Sequence, residues 1–411
     1  MVPLRFSPYN GPMSLFSLVF SALPLLLPAQ DPQPPRAGNL LQGEPQVLDN
    51  GQAASQITAM GDVHGDFKTF RALLRSVGLI DSQDLWCGGT RHLVQTGDLL
   101  DRGGESRQVL ELLTRLEGEA MAAGGQVVVL LGNHEVMNMT GDFAYTSRDE
   151  YLAFQNDEVT HDRAQRREEI LRLVREGSRL LLSSYFEQLS RVLDEATFDQ
   201  FFPPGYFAHQ DAFSPEGRYG KWLLERPALY RENGTLFLHG GLSPRYGSWP
   251  ISRMNMVIKA ALRKYLDGIS ALEKLRVFHR ALGATELWLF VQAERKAGEH
   301  DPRLESALQK IEEAWDSPLF DAEGPLWYRG LALESEWRLE RFVRRTLLTH
   351  GLDRMVIGHT QPKGLAIEAR FQGKVILIDT GMNQAVYGGR PSAVYVSPDG
   401  GIRVWEAESR K

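Results

Sequence analysis

Five times along this chain an apolar run stops at a glycine-bracketed turn that carries Asp, His or Asn. The turns are GDVHG at Gly61 to Gly65, GDLLDRG at Gly97 to Gly103, GNHE at Gly132 to Glu135, HGG at His239 to Gly241 and GHT at Gly358 to Thr360. Short apolar runs bounded by glycine read as strands buried on both faces. In open α/β sheets, ligands gather in the crevice outside the carboxyl ends of such strands. Five polar turns in that position demand a fold that brings distant strand ends to one edge.

The segments between the turns supply the rest of that fold. Phe67, Phe70, Leu73, Leu74 and Val77 recur at helical spacing and Gly78 follows them. Ser106 is placed to cap a second helix bearing Val109, Leu110, Leu113 and Leu116, which Gly118 ends. With strands ending at Met60, at Leu93 to Thr96 and at Val127 to Leu131, this is a βαβαβ unit. Strands resume at Leu236 to Leu238, Met355 to Ile357 and Val375 to Ile378, and a hairpin pairs Ala393 to Val396 with Ile402 to Trp405. There is no internal repeat and no second set of strand motifs. The 411 residues therefore favour one α/β domain over residues 56 to 411, with helical insertions at about 148 to 230 and 255 to 316.

Ahead of that domain, Arg5 precedes an apolar run from Leu15 to Leu27 and a Pro- and Gln-rich stretch. The run is short for a bilayer span. The pattern predicts a signal peptide over residues 1 to 29, a linker over 30 to 55, and an exported protein, periplasmic or extracellular. No stable membrane span is expected after processing; an uncleaved run would instead anchor the chain. Cys87 is the only cysteine, which excludes an intrachain disulfide, and it reads as a small buried hydrophobe. The formal net charge of −6 lacks the basic footprint of a nucleic-acid binder, and Arg163 to Arg167 read as a solvated helix face.

The turn residues form a set of metal ligands. Asp62, His64, Asp98, Asn133, His239 and His359 offer carboxylate, imidazole and amide donors and no thiolate. Such donors suit divalent ions such as manganese, iron or zinc, and argue against a sulfur cluster or a structural zinc site. Asp98 directly follows its strand and has two oxygens with which to bridge two cations. Two ions so held acidify a shared water and neutralise charge in an in-line displacement, so the expected chemistry is phosphate-ester hydrolysis by a hydroxide held between them. His134 is the candidate general acid, with Asp101 spaced to orient it and keep it protonated. Arg102 is a candidate bidentate phosphate clamp, and Arg329 in PLWYR is a second. His92, His161, His209 and His350 lack the strand-end setting.

These segments resemble the metallophosphoesterases (the calcineurin-like phosphoesterases) and, among them, the PPP family of phosphoprotein phosphatases. That family's pattern is GDxHG, GDxxDRG, GNHE, HGG and a final His, and the resemblance spans roughly residues 57 to 410. It implies an α/β fold of two packed mixed β-sheets flanked by helices. It also implies that Asp62, His64 and Asp98 hold one ion and that Asp98, Asn133, His239 and His359 hold the other. His134 with Asp101 is then the proton donor, and Arg102 holds the phosphate.

The long stretch from Glu135 to His239, GHTQP around His359 and IDTGM at Ile378 to Met382 depart from the eukaryotic PPP pattern. They are similar to the Shewanella-like branch of the family, as are PLWYR at Pro325 and YGGRP at Tyr387. The implied activity is hydrolysis of phosphomonoesters, on phosphoproteins or small molecules. A diadenosine tetraphosphatase, or another small-molecule phosphohydrolase, shares most of these motifs, but the tetraphosphatases typically lack the Asp of GDxxDRG, here Asp101. A non-catalytic binding module would have lost ligands, and all six are present.

Overall fold

The computed structural model describes residues 56–179, 192–298 and 301–407. The expected signal peptide and the whole expected linker lie outside the described residues, as do Leu181, Leu182, Phe186 and Leu189 of the first expected insertion. Among the described residues, no helix is long and apolar enough to cross a membrane.

Strands, and helices of eight residues or more, are numbered in chain order. The chain runs β1 Ile57–Met60, α1 Phe67–Ser76, β2 His92–Gln95, α2 Ser106–Ala122, β3 Gln126–Val129 and α3 Asn133–Thr140. The first insertion holds α4 Thr160–Arg179 and α5 Tyr206–Phe213 with shorter turns between them. After it come β4 Leu229–Glu232, β5 Thr235–Leu238, α6 Ile251–Lys274, α7 Ala284–Ala297, α8 Pro302–Trp315 and α9 Glu336–His350. The chain closes with β6 Arg354–Ile357, β7 Glu368–Arg370, β8 Val375–Leu377, β9 Ser392–Val396 and β10 Ile402–Glu406.

These strands form two mixed five-stranded sheets, ordered β10-β9-β1-β2-β3 and β4-β5-β6-β8-β7. In the first, β1, β2 and β3 run parallel, while β9 pairs antiparallel with both β1 and β10; in the second, β5, β6 and β8 run parallel between antiparallel β4 and β7. Ile57, Ala59, Val94 and Val128 of the first sheet pack with Phe237, Val356 and Ile376 of the second in one apolar layer. The alternate residues Met60, Leu93, Val127 and Val129, with Leu236, Leu238, Met355 and Ile357, join a larger core with helical residues such as Phe70, Leu113 and Val343. Each central strand is thus covered on both faces, one by the opposite sheet and one by helices. That double burial is why its sequence is an unbroken apolar run.

Several expectations change. Strands β4 and β7 were not evident from sequence, because they are edge strands with polar or exposed residues such as Arg231 and Glu368. The β4–β5 hairpin does carry a local signal, since its turn is Asn233-Gly234 with both residues at positive φ, 45° and 67°. Gly118 does not end α2, which runs on to Ala122. Ser106 does not cap it either: the cap position is Glu105, and the Ser106 hydroxyl donates instead to buried Glu150 at 2.7 Å. Cys87 is exposed rather than buried, since it lies in the loop before β2 and not in the core.

Candidate metal centre

Each parallel strand delivers its turn to the same edge of the two-sheet stack. Asp62 and His64 follow β1, Asp98, Asp101 and Arg102 follow β2, Asn133 and His134 open α3 beyond β3, and His239 and His359 follow β5 and β6. Two of these loops interlock: the backbone N–H of His359 donates to both oxygens of Asp62, each at 3.1 Å. Gly358 is required there, because a Cβ would collide with the Asp62 carboxylate and the Thr96 hydroxyl. His64, Asp98, Asp101, Arg102 and His359 all sit at positive φ, between 48° and 69°. Non-glycine residues rarely adopt that conformation, and where they do the surrounding structure holds the strain at a functional site.

Asp98 is the hub. Ligand atoms of Asp98, His239 and His359 fall within 4.8 Å of one another, and so do those of His64, Asp98 and His134. The hydrogen-bond partners show which atoms remain open, because a carbonyl can only accept. Nδ1 of His239 donates to Thr96 O at 2.9 Å, and Nε2 of His359 donates to Trp327 O at 3.2 Å. The lone pairs left on His239 Nε2 and His359 Nδ1 are 3.1 Å apart. Asn133 Oδ1 at 2.9 Å and Asp98 Oδ1 at 3.2 Å also face His239 Nε2. With both imidazoles neutral, four acceptors converge there, and a cation is what such a set accommodates.

On the other side of Asp98, His64 donates from Nδ1 to Leu100 O at 3.0 Å, which leaves Nε2 open. That nitrogen is 3.7 Å from Asp98 Oδ2 and 3.9 Å from Asp62 Oδ2. Burial, then the charges of Asp379 and Asp98, push the Asp62 carboxyl well above the usual carboxylate range. Burial likewise drives Glu135 up to about 7 and Asp379 up to about 6. Four buried carboxylates on one edge carry negative charge that bound divalent cations offset. The donor set fits divalent metal.

His134 and Asp101 are joined by a 2.6 Å hydrogen bond through Nδ1. Burial disfavours the His134 imidazolium, but Asp98 and the Asp101 bond outweigh it and hold the His134 pKa above its ordinary value. Asp101 is likewise opposed by burial, yet the bonds from His134, Asn138 and Thr146 keep it ionised, below the usual range. Arg102 lies with its guanidinium 3.9 Å from the centroid of the Tyr145 ring. Its buried Nε has no hydrogen-bond partner, so no acceptor of the protein claims that donor. Arg329 reaches the same edge by a different route, with Nη1 bonded to His359 O at 2.7 Å and Thr360 Oγ1 at 3.1 Å.

The structure therefore brings all ten sequence candidates to one edge. It adds residues that the sequence reading passed over. Glu135 accepts from the backbone N–H groups of Asp98, Leu99 and Gly132 at 2.7–2.8 Å and ties two turns together. Asp379 stands beside Asp62, as its own signal foretold: the apolar run Val375 to Ile378 also stops at Asp and Gly. Three histidines without the strand-end setting lie elsewhere: His92 pairs with Glu232 at 2.8 Å and His350 bonds Gly247 O, while His209 is buried among Phe143, Tyr151, Phe154 and Phe213.

Comparison with known proteins agrees with this geometry. Shewanella-like protein phosphatase 2 of Arabidopsis thaliana is 28% identical over 352 residues, 85% of this chain and 77% of that protein. A symmetrical bis(5'-nucleosyl)-tetraphosphatase of Proteus mirabilis is 37% identical, but over only 90 residues, 22% of this chain and 27% of that one. A solved cold-active protein tyrosine phosphatase superposes with a TM-score of 0.51 at 22% identity, covering 86% of this chain and 79% of its own, which shows the shared fold. The sequence model of the calcineurin-like phosphoesterases matches residues 55–362. With that match over most of its folded length, and with the strand-end ligand set assembled, the chain belongs to the calcineurin-like phosphoesterase family.

Proposed function

We propose that this protein is a phosphomonoesterase of phosphoproteins that works with two divalent ions, of the manganese, iron or zinc kind, sharing Asp98. The observation that carries the reading is the pair of ligand groups meeting at Asp98 beside an Arg102 with an unused buried donor. Asp62, His64 and Asp98 would hold one ion, and Asp98, Asn133, His239 and His359 the other. Bound there, divalent ions supply Lewis acidity, lower the pKa of water and neutralise phosphoryl charge.

The chain's own residues do the rest. Arg102 draws the phosphoryl oxygens to the metal edge, and Tyr145 beneath it fixes the guanidinium plane. Asp101 holds His134 at Nδ1, which leaves the Nε2 side, 3.8 Å from Asp98 Oδ2, to carry a proton to the departing oxygen. Arg329 braces the His359 loop, and we assign the phosphate contact to Arg102. A phosphoprotein substrate is favoured over diadenosine tetraphosphate because similarity to the Arabidopsis phosphatase runs through most of the chain, whereas the tetraphosphatase matches one short stretch.

A panel of phosphotyrosine, phosphoserine and phosphothreonine peptides, assayed with defined metals alongside diadenosine tetraphosphate, tests this. Metal-dependent phosphate release from peptides is expected, and turnover of the dinucleotide alone would replace the reading with the tetraphosphatase one. We also propose export, on the Leu15 to Leu27 run. Mass spectrometry of protein from its native host checks it: a mature N-terminus near Gln30 is expected, and an intact Met1 on cytoplasmic protein contradicts it.

A further inference from the structure

Apart from Asp379, IDTGM and the YGG that follows it have no part in the chemistry above, yet the structure lays the stretch along the metal edge. After β8, Asp379 takes the backbone N–H of Gly381 at 3.0 Å. Asn383 then donates to the carbonyl of His64 at 2.8 Å, which fastens the segment to the first ligand turn. A short helix, Gln384–Tyr387, ends at Gly388 and leaves the Tyr387 ring 5.4 Å from the His64 ring, tilted by 46°. Gly381 makes this approach possible: its φ is +66°, and a Cβ there would lie 2.9 Å from the Cβ of Tyr387.

Tyr387 completes a row of rings. His64 meets His134 edge-on at 4.8 Å, and His134 meets Tyr145 at 5.1 Å, with the Arg102 guanidinium 3.9 Å from the centre of the Tyr145 ring. Two tyrosines thus flank the two imidazoles. The Tyr387 ring packs beside His64, whose Nε2 opens towards Asp98 and Asp62, so the phenol borders the metal edge. Tyr387 is half-buried, and among the described residues its hydroxyl has no hydrogen-bond partner. A phenol is a donor at neutral pH, and a half-buried donor facing an anion site is poised to bond the anion.

We propose that Tyr387 is a substrate-contacting residue whose hydroxyl donates a hydrogen bond to the phosphoryl group held by Arg102, from the His64 side of the row. The inference rests on the phosphomonoesterase reading for its meaning, since the phosphoryl group is that of the substrate. The alternative role for the same ring is packing alone, as a support for His64.

Inorganic phosphate, titrated calorimetrically into the manganese-loaded full chain, separates the two roles without relying on turnover. For Tyr387→Phe, which keeps the ring, phosphate affinity should fall by about tenfold, the loss of one hydrogen bond to a charged partner. Metal content and Tm should stay as in the parent, and KM for p-nitrophenyl phosphate should rise by a similar factor with kcat changed less. Unchanged phosphate affinity overturns the contact, and so does a variant that loses metal, which would make Tyr387 a support for His64. If the parent chain hydrolyses no phosphomonoester yet loses phosphate affinity on Tyr387→Phe, the functional reading falls and the contact stands.

Discussion

Asp101 grips Nδ1 of His134 at 2.6 Å, and Asp101 is itself held by Asn138 at 3.0 Å and Thr146 at 2.8 Å. The imidazole is therefore fixed in orientation and biased towards its charged form by a carboxylate that cannot turn away. The arrangement assigns the donor to His134 and the orientation to Asp101.

If His134 protonates the departing oxygen, His134→Asn should depress turnover most for alkyl phosphates and least for p-nitrophenyl phosphate, whose leaving group hardly needs a proton. General acid catalysis is typically worth ~10²- to 10⁴-fold, so the difference between substrates is measurable. Asp101→Asn should follow the same ranking more mildly. Equal losses on both substrates, or loss of metal, would make His134 a support of the site.

Asp98 belongs to both ligand groups, whereas His64 and His359 belong to one each. Elemental analysis of Asp98→Asn should accordingly show loss of both ions, and His359→Asn retention of one. The parent chain should hold close to two and lose most activity on chelation. A fully active metal-free preparation would remove the basis of the mechanism.

Glu150 is buried against Ser106, and burial, with the Asp101 charge adding to it, pushes its carboxyl up to about 8. The folded chain thus keeps a proton that the unfolded chain releases above a carboxylate's usual pKa of ~4.3. Stability from this group is full below that value and declines as pH rises towards 8. Glu150→Gln still accepts from the Ser106 hydroxyl and removes the decline. Thermal unfolding should show it more stable than the parent at pH 8, by about 1–3 kcal/mol, and little changed at pH 4. An equal offset at both pH values would refute the charge argument.

Phe237 on β5 is fully buried in the layer between the sheets, where Val356 and Ile376 belong to its own sheet and Ile57 and Val94 to the other. Phe237→Ala should cost about 3–5 kcal/mol in chemical denaturation, the range for deleting a buried aromatic ring. His239 follows β5 directly, so metal affinity should drop with it. A loss below about 1 kcal/mol would mean the sheets are not held by this layer.

Much of the site was legible because its signals are local. An apolar run, a glycine and a ligand within a few residues identify a strand end wherever they occur, as at Gly61-Asp62 and Gly358-His359. Asp379 carried the same local signal and was passed over as a family mark. Tyr387 carried none, for its place beside His64 depends on Gly381, Asn383 and a four-residue helix acting together. Cys87 and Ser106 misled for the same reason: polarity and spacing do not tell which neighbour, here solvent and Glu150, a side chain meets.

The amino-acid sequence alone determined which residues could bind metal, that they stand at strand ends, and that the strands are covered on both faces. Those properties follow from hydrophobic periodicity and turn chemistry, which act over a few residues. Only the tertiary structure decided that the five turns share one edge, because the ligands that meet there are far apart in the chain. Asn133 and His239 are 106 residues apart and Asp62 and His359 are 297 apart, yet each pair lies within hydrogen-bond distance. Parallel pairing within each sheet and the apolar layer between them bring those distances down to ångströms, and no local pattern encodes which sheet a strand will join or which of its neighbours it will touch.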